Sequence, residues 1–192
     1  MATILLFHAI LGLRGGEEAF ACALRADGHR VILPDLYDGA RADTYDAAFA
    51  LKDRIGDATL HARATAALAA APEDAVLAGI SFGAFMLGRL WGDRPAMPGA
   101  ILLSGIAPWM TPRRAGLPVL CDIARPDPFD DESFFADWVA EAGPVALDLC
   151  RHDGAGHLFL DPTLPDHDPV AAGRAITRAR DFLRRIDAAR PA

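Results

Sequence analysis

Short apolar runs of strand length alternate with longer helix-like segments along the whole chain, and no other feature restricts the fold so strongly. The strand-length runs are Thr3–Phe7, Arg30–Leu33, Ala75–Ile80, Ala100–Leu103, Val119–Asp122 and Val145–Leu149. The helix-like segments are Glu17–Ala26, Thr44–Ile55, Ala58–Ala70, Phe82–Trp91, Glu132–Glu141 and Val170–Ala188, with Gly56 dividing the second from the third. Strands separated by helices are joined by crossovers, so this rhythm predicts an α/β fold, a mainly parallel sheet with helices on both faces. Ligands in such folds bind beyond the carboxyl ends of the strands, and functional residues are expected just after them. At 192 residues, with no linker, repeat or low-complexity tract, the expectation is one domain over 1–192. The connection Gly105–Pro118 lacks periodicity and is placed where a lid is inserted in such folds, but it is too short for a cap domain.

Charge and cysteine content exclude several classes. A net charge of −7 without a basic run argues against nucleic acid or an anionic membrane as partner. Cys22, Cys121 and Cys150 are far apart and have no C-x-x-C spacing, which predicts reduced thiols and neither a disulfide framework nor a zinc site. The apolar run ILLFHAILGL has no basic segment before it and no small-residue cleavage site, and His8 interrupts it. No span reaches transmembrane length, and the expected location is cytoplasmic.

Within this frame, Gly79–Gly83 (GISFG) stands where a strand meets a helix. In a G-x-S-x-G elbow the glycines let strand and helix pack closely while the serine is held at the apex with its hydroxyl exposed. Ser81 is therefore the candidate nucleophile. A serine hydroxyl is inert at neutral pH unless an imidazole takes its proton, and the chain order expected in this architecture is serine, acid, histidine.

His157 follows the last strand through DGAG, a turn able to bring a side chain back over the strand ends. His152 is the rival but precedes the turn, whereas His29, His61 and His167 read as solvated residues and His8 as a hydrogen-bonding residue at a strand end. For the acid, Asp122, Asp127, Asp130 and Asp131 crowd CDIARPDPFDD. Asp127 is favoured because it lies a few residues past a strand, between Pro126 and Pro128, where a carboxylate can hold an imidazole in one tautomer. The N–H of Phe82, directly after the nucleophile, and that of Ile10, in the loop after the first strand, are the expected oxyanion donors. No dinucleotide fingerprint, Walker motif or metal-ligand spacing is present, so no cofactor and no metal is expected.

HAILG, PDLYDG, GISFG, RPDPF and GAGHLF, met in this order, resemble the dienelactone hydrolase family of α/β-hydrolases from about Ile4 to the last helix. The resemblance implies the α/β-hydrolase fold, the triad Ser81, Asp127 and His157, and oxyanion donors at Ile10 and Phe82. The best-known members differ at three positions. They carry cysteine where this chain has Ser81, glutamate where it has Ala9, and a carboxylate-binding arginine four residues after the histidine, where it has Asp161. Asp161 is therefore expected to face the substrate and repel carboxylates. Trp109, Phe134, Trp138 and Phe159 are expected to wall the pocket with apolar surface, alongside Phe135.

The resulting expectation is a serine hydrolase acting on a small neutral ester or lactone through an acyl-enzyme. The alternatives are a thioesterase or acyltransferase using the same residues, and a ligand-binding protein on the same fold that has lost turnover.

Overall fold

The computed structural model describes residues 1–189. Six strands form one parallel sheet: β1 (Thr3–Phe7), β2 (Arg30–Ile32), β3 (Val76–Ile80), β4 (Ala100–Leu103), β5 (Pro118–Arg125) and β6 (Ala146–Asp153). The helices are α1 (Gly15–Ala26), α2 (Tyr45–Ile55), α3 (Asp57–Ala70), α4 (Phe82–Gly88), α5 (Glu132–Ala140) and α6 (Pro169–Ala188). The spatial order is β2-β1-β3-β4-β5-β6. The chain leaves β1 toward one edge and returns to lay β3 on its other side, so the switch point of the sheet lies between β1 and β3.

Register explains the two helical layers. Paired residues in a parallel sheet share a face, and successive residues alternate. Gly79, Leu102 and Cys121 are in register, and Gly79 lies against Gly83 and Ala84 of α4. Ala78, Ile101 and Leu120 therefore face the opposite way. Two residues beyond Leu120 on that same face, Asp122 accepts hydrogen bonds from Arg178 of α6. The central strands β3 and β4 are buried along their entire length, so they read as continuous apolar runs rather than alternating ones.

Three boundaries depart from the sequence expectation. Strands β5 and β6 run to Arg125 and Asp153, several residues past the predicted ends, because Ile123, Ala124 and Arg125 pair with Arg151, His152 and Asp153. The polar residues there look unlike a strand, but β6 is an edge strand with only partial burial and tolerates them. The helix predicted to reach Trp91 ends at Gly88, and a 3-10 turn covers Trp91–Asp93. Residues 104–117 carry neither helix nor strand, and no cap domain is inserted. Among the described residues, no helix is long and apolar enough to cross a membrane.

Asp122, Arg178 and His152 form a buried polar cluster behind the sheet. Both carboxylate oxygens of Asp122 lie 3.1 Å from Arg178 Nε, and Oδ1 is 2.8 Å from His152 Nε2. The fully buried carboxylate is thereby paired, as a charge in the interior must be.

The tightest point of the fold is where α4 crosses the sheet. A side chain on Gly83 would run into the main-chain carbonyl of Phe7 on β1, and one on Gly79 would run into the backbone of Gly83. Alanine is about 1 kcal/mol better than glycine within a helix, but overpacking against a rigid strand costs about 1–3 kcal/mol or more, so the second effect wins. We expect Gly83→Ala to lower the free energy of unfolding by about 2 kcal/mol. Urea denaturation checks this: a lower midpoint with an unchanged slope is the expected result, and an unshifted midpoint contradicts the close contact.

Candidate active site

Ser81 stands between β3 and α4 with φ 53° and ψ −115°, a left-handed conformation that a residue with a side chain adopts only when its surroundings enforce it. The enforcement is visible on both sides. Its N–H donates to Leu103 O on β4 at 2.8 Å, and its carbonyl accepts from Ala84 N–H at 2.8 Å. Gly105, after β4, passes so close that a Cβ there would lie 3.0 Å from Ser81 Cα. The turn lifts the hydroxyl above the end of the sheet, where it lines a cleft.

Ser81 Oγ lies 2.8 Å from His157 Nε2, and His157 Nδ1 lies 2.7 Å from Asp127 Oδ2. An ionised carboxylate only accepts, so Nδ1 carries the proton and Nε2 is left to accept from the serine hydroxyl. Burial alone would raise the pKa of Asp127. The hydrogen bond and charge of His157, together with the Phe129 and Asp130 N–H groups, outweigh that and hold it below the usual carboxylate value. The glycine turn after β6 brings His157 into place: Gly154 has φ 80° and its N–H donates to Arg125 O at 2.8 Å, which ties the turn to the end of β5. Asp166 braces the far side by accepting from Leu158 N–H at 3.1 Å and from the Tyr45 hydroxyl at 3.0 Å. The Phe129 ring meets the imidazole edge-on, with centroids 4.6 Å apart.

The rival histidine is engaged elsewhere. His152 belongs to β6, and its Nε2 is bound to Asp122, the acid passed over in favour of Asp127. Asp122, Cys150 and His152 bring ligand atoms within 4.8 Å of one another, so among the described residues they are a grouping of metal-ligand type. Arg178 already bonds both Asp122 oxygens, and a cation there would have to displace a guanidinium.

Ile10 and Phe82 both line the cleft beside Ser81. The Phe82 N–H opens α4, where an amide has no partner within the helix. The loop bearing Ile10 is pinned by Glu17, which the sequence reading overlooked. This buried carboxylate accepts from Ala9 N–H at 2.9 Å and Arg14 N–H at 3.0 Å. Its position at the third residue of α1, from which a glutamate can reach back to the Arg14 N–H before the helix, was the available signal.

The cleft has a volume of about 790 Å³. Trp109, Phe134 and Trp138 line it. The two indoles stack at 4.6 Å between centroids, and their N–H groups donate to Trp138 O and Ala107 O. Phe159 does not line it: the ring is fully buried behind the site, against His152 at 4.9 Å. Phe135 is buried beneath the Arg151 guanidinium. Asp161 is also absent from the cleft. Its Oδ1 accepts from the Thr163 N–H at 2.9 Å and hydroxyl at 2.7 Å, and Oδ2 lies 3.7 Å from Arg14 Nε. The chain turns sharply after His157, with Asp161 N–H donating to Leu158 O, and this carries the fourth residue behind the site. Phe49, Phe85, Phe129 and Asp130 line the cleft instead; no sequence signal marked the three rings, and the sequence offers Asp130 only as a candidate acid.

His8 proves to be structural. Leu36 N–H donates to Nε2 at 3.0 Å, so Nδ1 is the protonated nitrogen and donates to Ala9 O at 2.7 Å. Burial lowers its pKa below 6.5, against smaller raising effects from the Ala9 carbonyl, Glu17 and Asp35. The unfolded chain thus binds the proton more tightly than the folded one. The stabilising contribution of neutral His8 is complete above the ordinary value of 6.5 and is lost as pH falls toward the lower folded value. We expect the loss of unfolding free energy between neutral and mildly acidic pH to be smaller in His8→Gln than in the wild type; equal losses would contradict this assignment.

Comparison with known proteins places the geometry in context. A family model described as the dienelactone hydrolase family matches residues 1–187. No match was found among curated proteins. A solved dienelactone hydrolase-like promiscuous phosphotriesterase from metagenomic libraries superposes with a TM-score of 0.78 at 20% identity, covering 97% of this chain and 87% of that one. The dienelactone hydrolase of Anabaena variabilis gives 0.67 at 19%, covering 96% and 86%. The thioesterase domain from the curacin biosynthetic pathway gives 0.64 at 12%, covering 95% and 90%. At these identities the structures establish a shared α/β-hydrolase fold.

Proposed function

The chain belongs to the dienelactone hydrolase family and is a hydrolase, and from that premise we propose that it cleaves small esters or lactones through a covalent acyl-serine. The observation that carries this reading is the unbroken contact from Ser81 Oγ through His157 to Asp127, 2.8 Å and 2.7 Å, opening on an apolar cleft. Ser81 attacks the substrate carbonyl as His157 Nε2 takes the hydroxyl proton. Asp127 keeps the imidazole in the tautomer that can accept, and stabilises the imidazolium that forms. The tetrahedral oxyanion is stabilised by the Ile10 and Phe82 N–H groups. His157 then returns its proton to the departing alcohol. A water molecule, deprotonated by the same nitrogen, attacks the acyl-serine and releases the acid. In a lactone the departing alcohol remains tethered to the acyl group.

A thioester would pass through the same steps, with a thiol leaving in place of the alcohol. A ligand-binding role without turnover is disfavoured by the contact of the Ser81 hydroxyl with His157 Nε2, backed by Asp127, which binding alone does not require.

We expect Ser81→Ala to lower kcat on short esters by about a thousandfold or more, with His157→Ala close to it and Asp127→Asn less severe, because the carboxylate orients without reacting. His152→Ala should affect stability more than rate. A fluorophosphonate probe should label Ser81 stoichiometrically, and labelling should vanish in His157→Ala. Retention of more than about a tenth of wild-type kcat by Ser81→Ala would exclude the acyl-serine route.

A further inference from the structure

The charges and rings around the cleft carry a second inference, which rests on the ester-hydrolase reading above. The described side chains include six large apolar ones that are exposed, and four of them, Phe49, Phe85, Phe129 and Phe134, line this cleft. Trp109 and Trp138 continue the aromatic surface inward. Apolar surface concentrated around one opening marks a binding site.

The charged residues of the cleft are unbalanced. Arg113, Asp130, Asp137 and Glu141 line it, and Arg113 Nη2 is paired with Glu141 Oε2 at 3.3 Å. Asp130 and Asp137 have no ion pair and no side-chain hydrogen bond among the described residues, so the cleft carries two uncompensated carboxyls. Asp130 is half-buried next to the candidate triad. Burial and the charge of Asp127 disfavour its ionised form, while His157 and Arg151 act in the opposite sense. The arginines that might have balanced it do not line the cleft: Arg151 is bound to Glu132 and to Ala124 O, and Arg14 to Ala42 O and Asp43.

We propose that the cleft ranks small apolar esters by charge, accepting those with a cationic or neutral group and rejecting those with a carboxylate, and that Asp130 is the specificity-determining residue. A second anion beside Asp130 and Asp127 adds to a repulsion already present. A substituted ammonium relieves that repulsion and also meets the negative faces of the surrounding rings. The expectation from the sequence, that Asp161 repels carboxylates, is thereby replaced: the sign of the field is retained, but its source is Asp130 and Asp137, which line the cleft where Asp161 does not. For unit charges about 7 Å apart in a partly solvated cleft, selection of roughly tenfold or more between cation and anion is expected.

The test uses three butanoate esters whose alcohol portions end, on the same two-carbon stem, in a trimethylammonium, a tert-butyl or a dimethylcarboxylate group. The expected order of kcat/KM is ammonium at or above tert-butyl, and both above carboxylate. The cation-to-anion ratio should shrink with added salt and fall severalfold in Asp130→Asn. Ratios measured within one variant do not depend on how much total activity it keeps. Where turnover is slow, protection of Ser81 from the fluorophosphonate gives the same ranking. If Asp130→Asn does not fold, Asp137→Asn and the salt dependence of the wild-type ratio carry the test. A carboxylate ester processed as well as its ammonium counterpart, or a ratio unchanged in both variants, overturns the proposal. The acyl-serine reading fails separately, if Ser81 is not labelled or the esters are cleaved equally well without it.

Discussion

The structure depends on one close backbone contact, where α4 lies on β1 and β3 with nothing but glycine hydrogens between. Gly83 meets the Phe7 carbonyl and Gly79 meets Gly83, so helix and strand approach more closely than any side chain permits. The chain must turn from strand to helix within one residue, and that residue is Ser81, held at positive φ by hydrogen bonds to β4 and to the first turn of α4. The strain is local, but what opposes it is the packing of three buried strands. A hydroxyl fixed in this way does not need to be ordered again when substrate arrives.

Two histidine–aspartate pairs of nearly identical length show how surroundings assign roles. His157–Asp127 is 2.7 Å and His152–Asp122 is 2.8 Å. Asp122 is also bound by Arg178, and its pair faces α6 behind the sheet, where it neutralises buried charge. Asp127 has backbone amides on its remaining lone pairs, and the other nitrogen of its histidine reaches Ser81. The two pairs are alike in composition, but His157 turns its other nitrogen to the Ser81 hydroxyl, whereas the His152–Asp122 pair has the Cys150 thiol within 4.8 Å.

The cleft combines walls from several distant segments: Phe49 from α2, Phe85 from α4, Trp109 from the connection after β4, Phe129 from the loop after β5, and Phe134 and Trp138 from α5. None of these rings belongs to the candidate triad, and four stay exposed. The cleft walls are thus carried on helix faces and loops, while Ser81 directly follows β3 and Asp127 and His157 stand in the turns just after β5 and β6.

The order of strands and helices and the tight turn at Ser81 were legible in the sequence, as was the choice of Ser81, Asp127 and His157 as candidates, which the fold brings into contact; each depends on local rules: periodicity, glycine spacing, and the chain order that a parallel sheet imposes on residues near its strand ends. The lengths of β5 and β6 were not, since pairing along an edge overrode the polar character of Arg151 and Asp153. Asp161 and Phe159 were misplaced for a related reason. A residue a few positions beyond a turn can face either way, and the hydrogen bond from Asp161 N–H to Leu158 O sends these two behind the site. The bracing contacts of Glu17, the place of Asp130 in the cleft, and the rings of Phe49, Phe85 and Phe129 came only from the tertiary structure. Their roles arise from what lies opposite them in space, and neither spacing nor periodicity in one chain records which surfaces will face each other once the helices have packed.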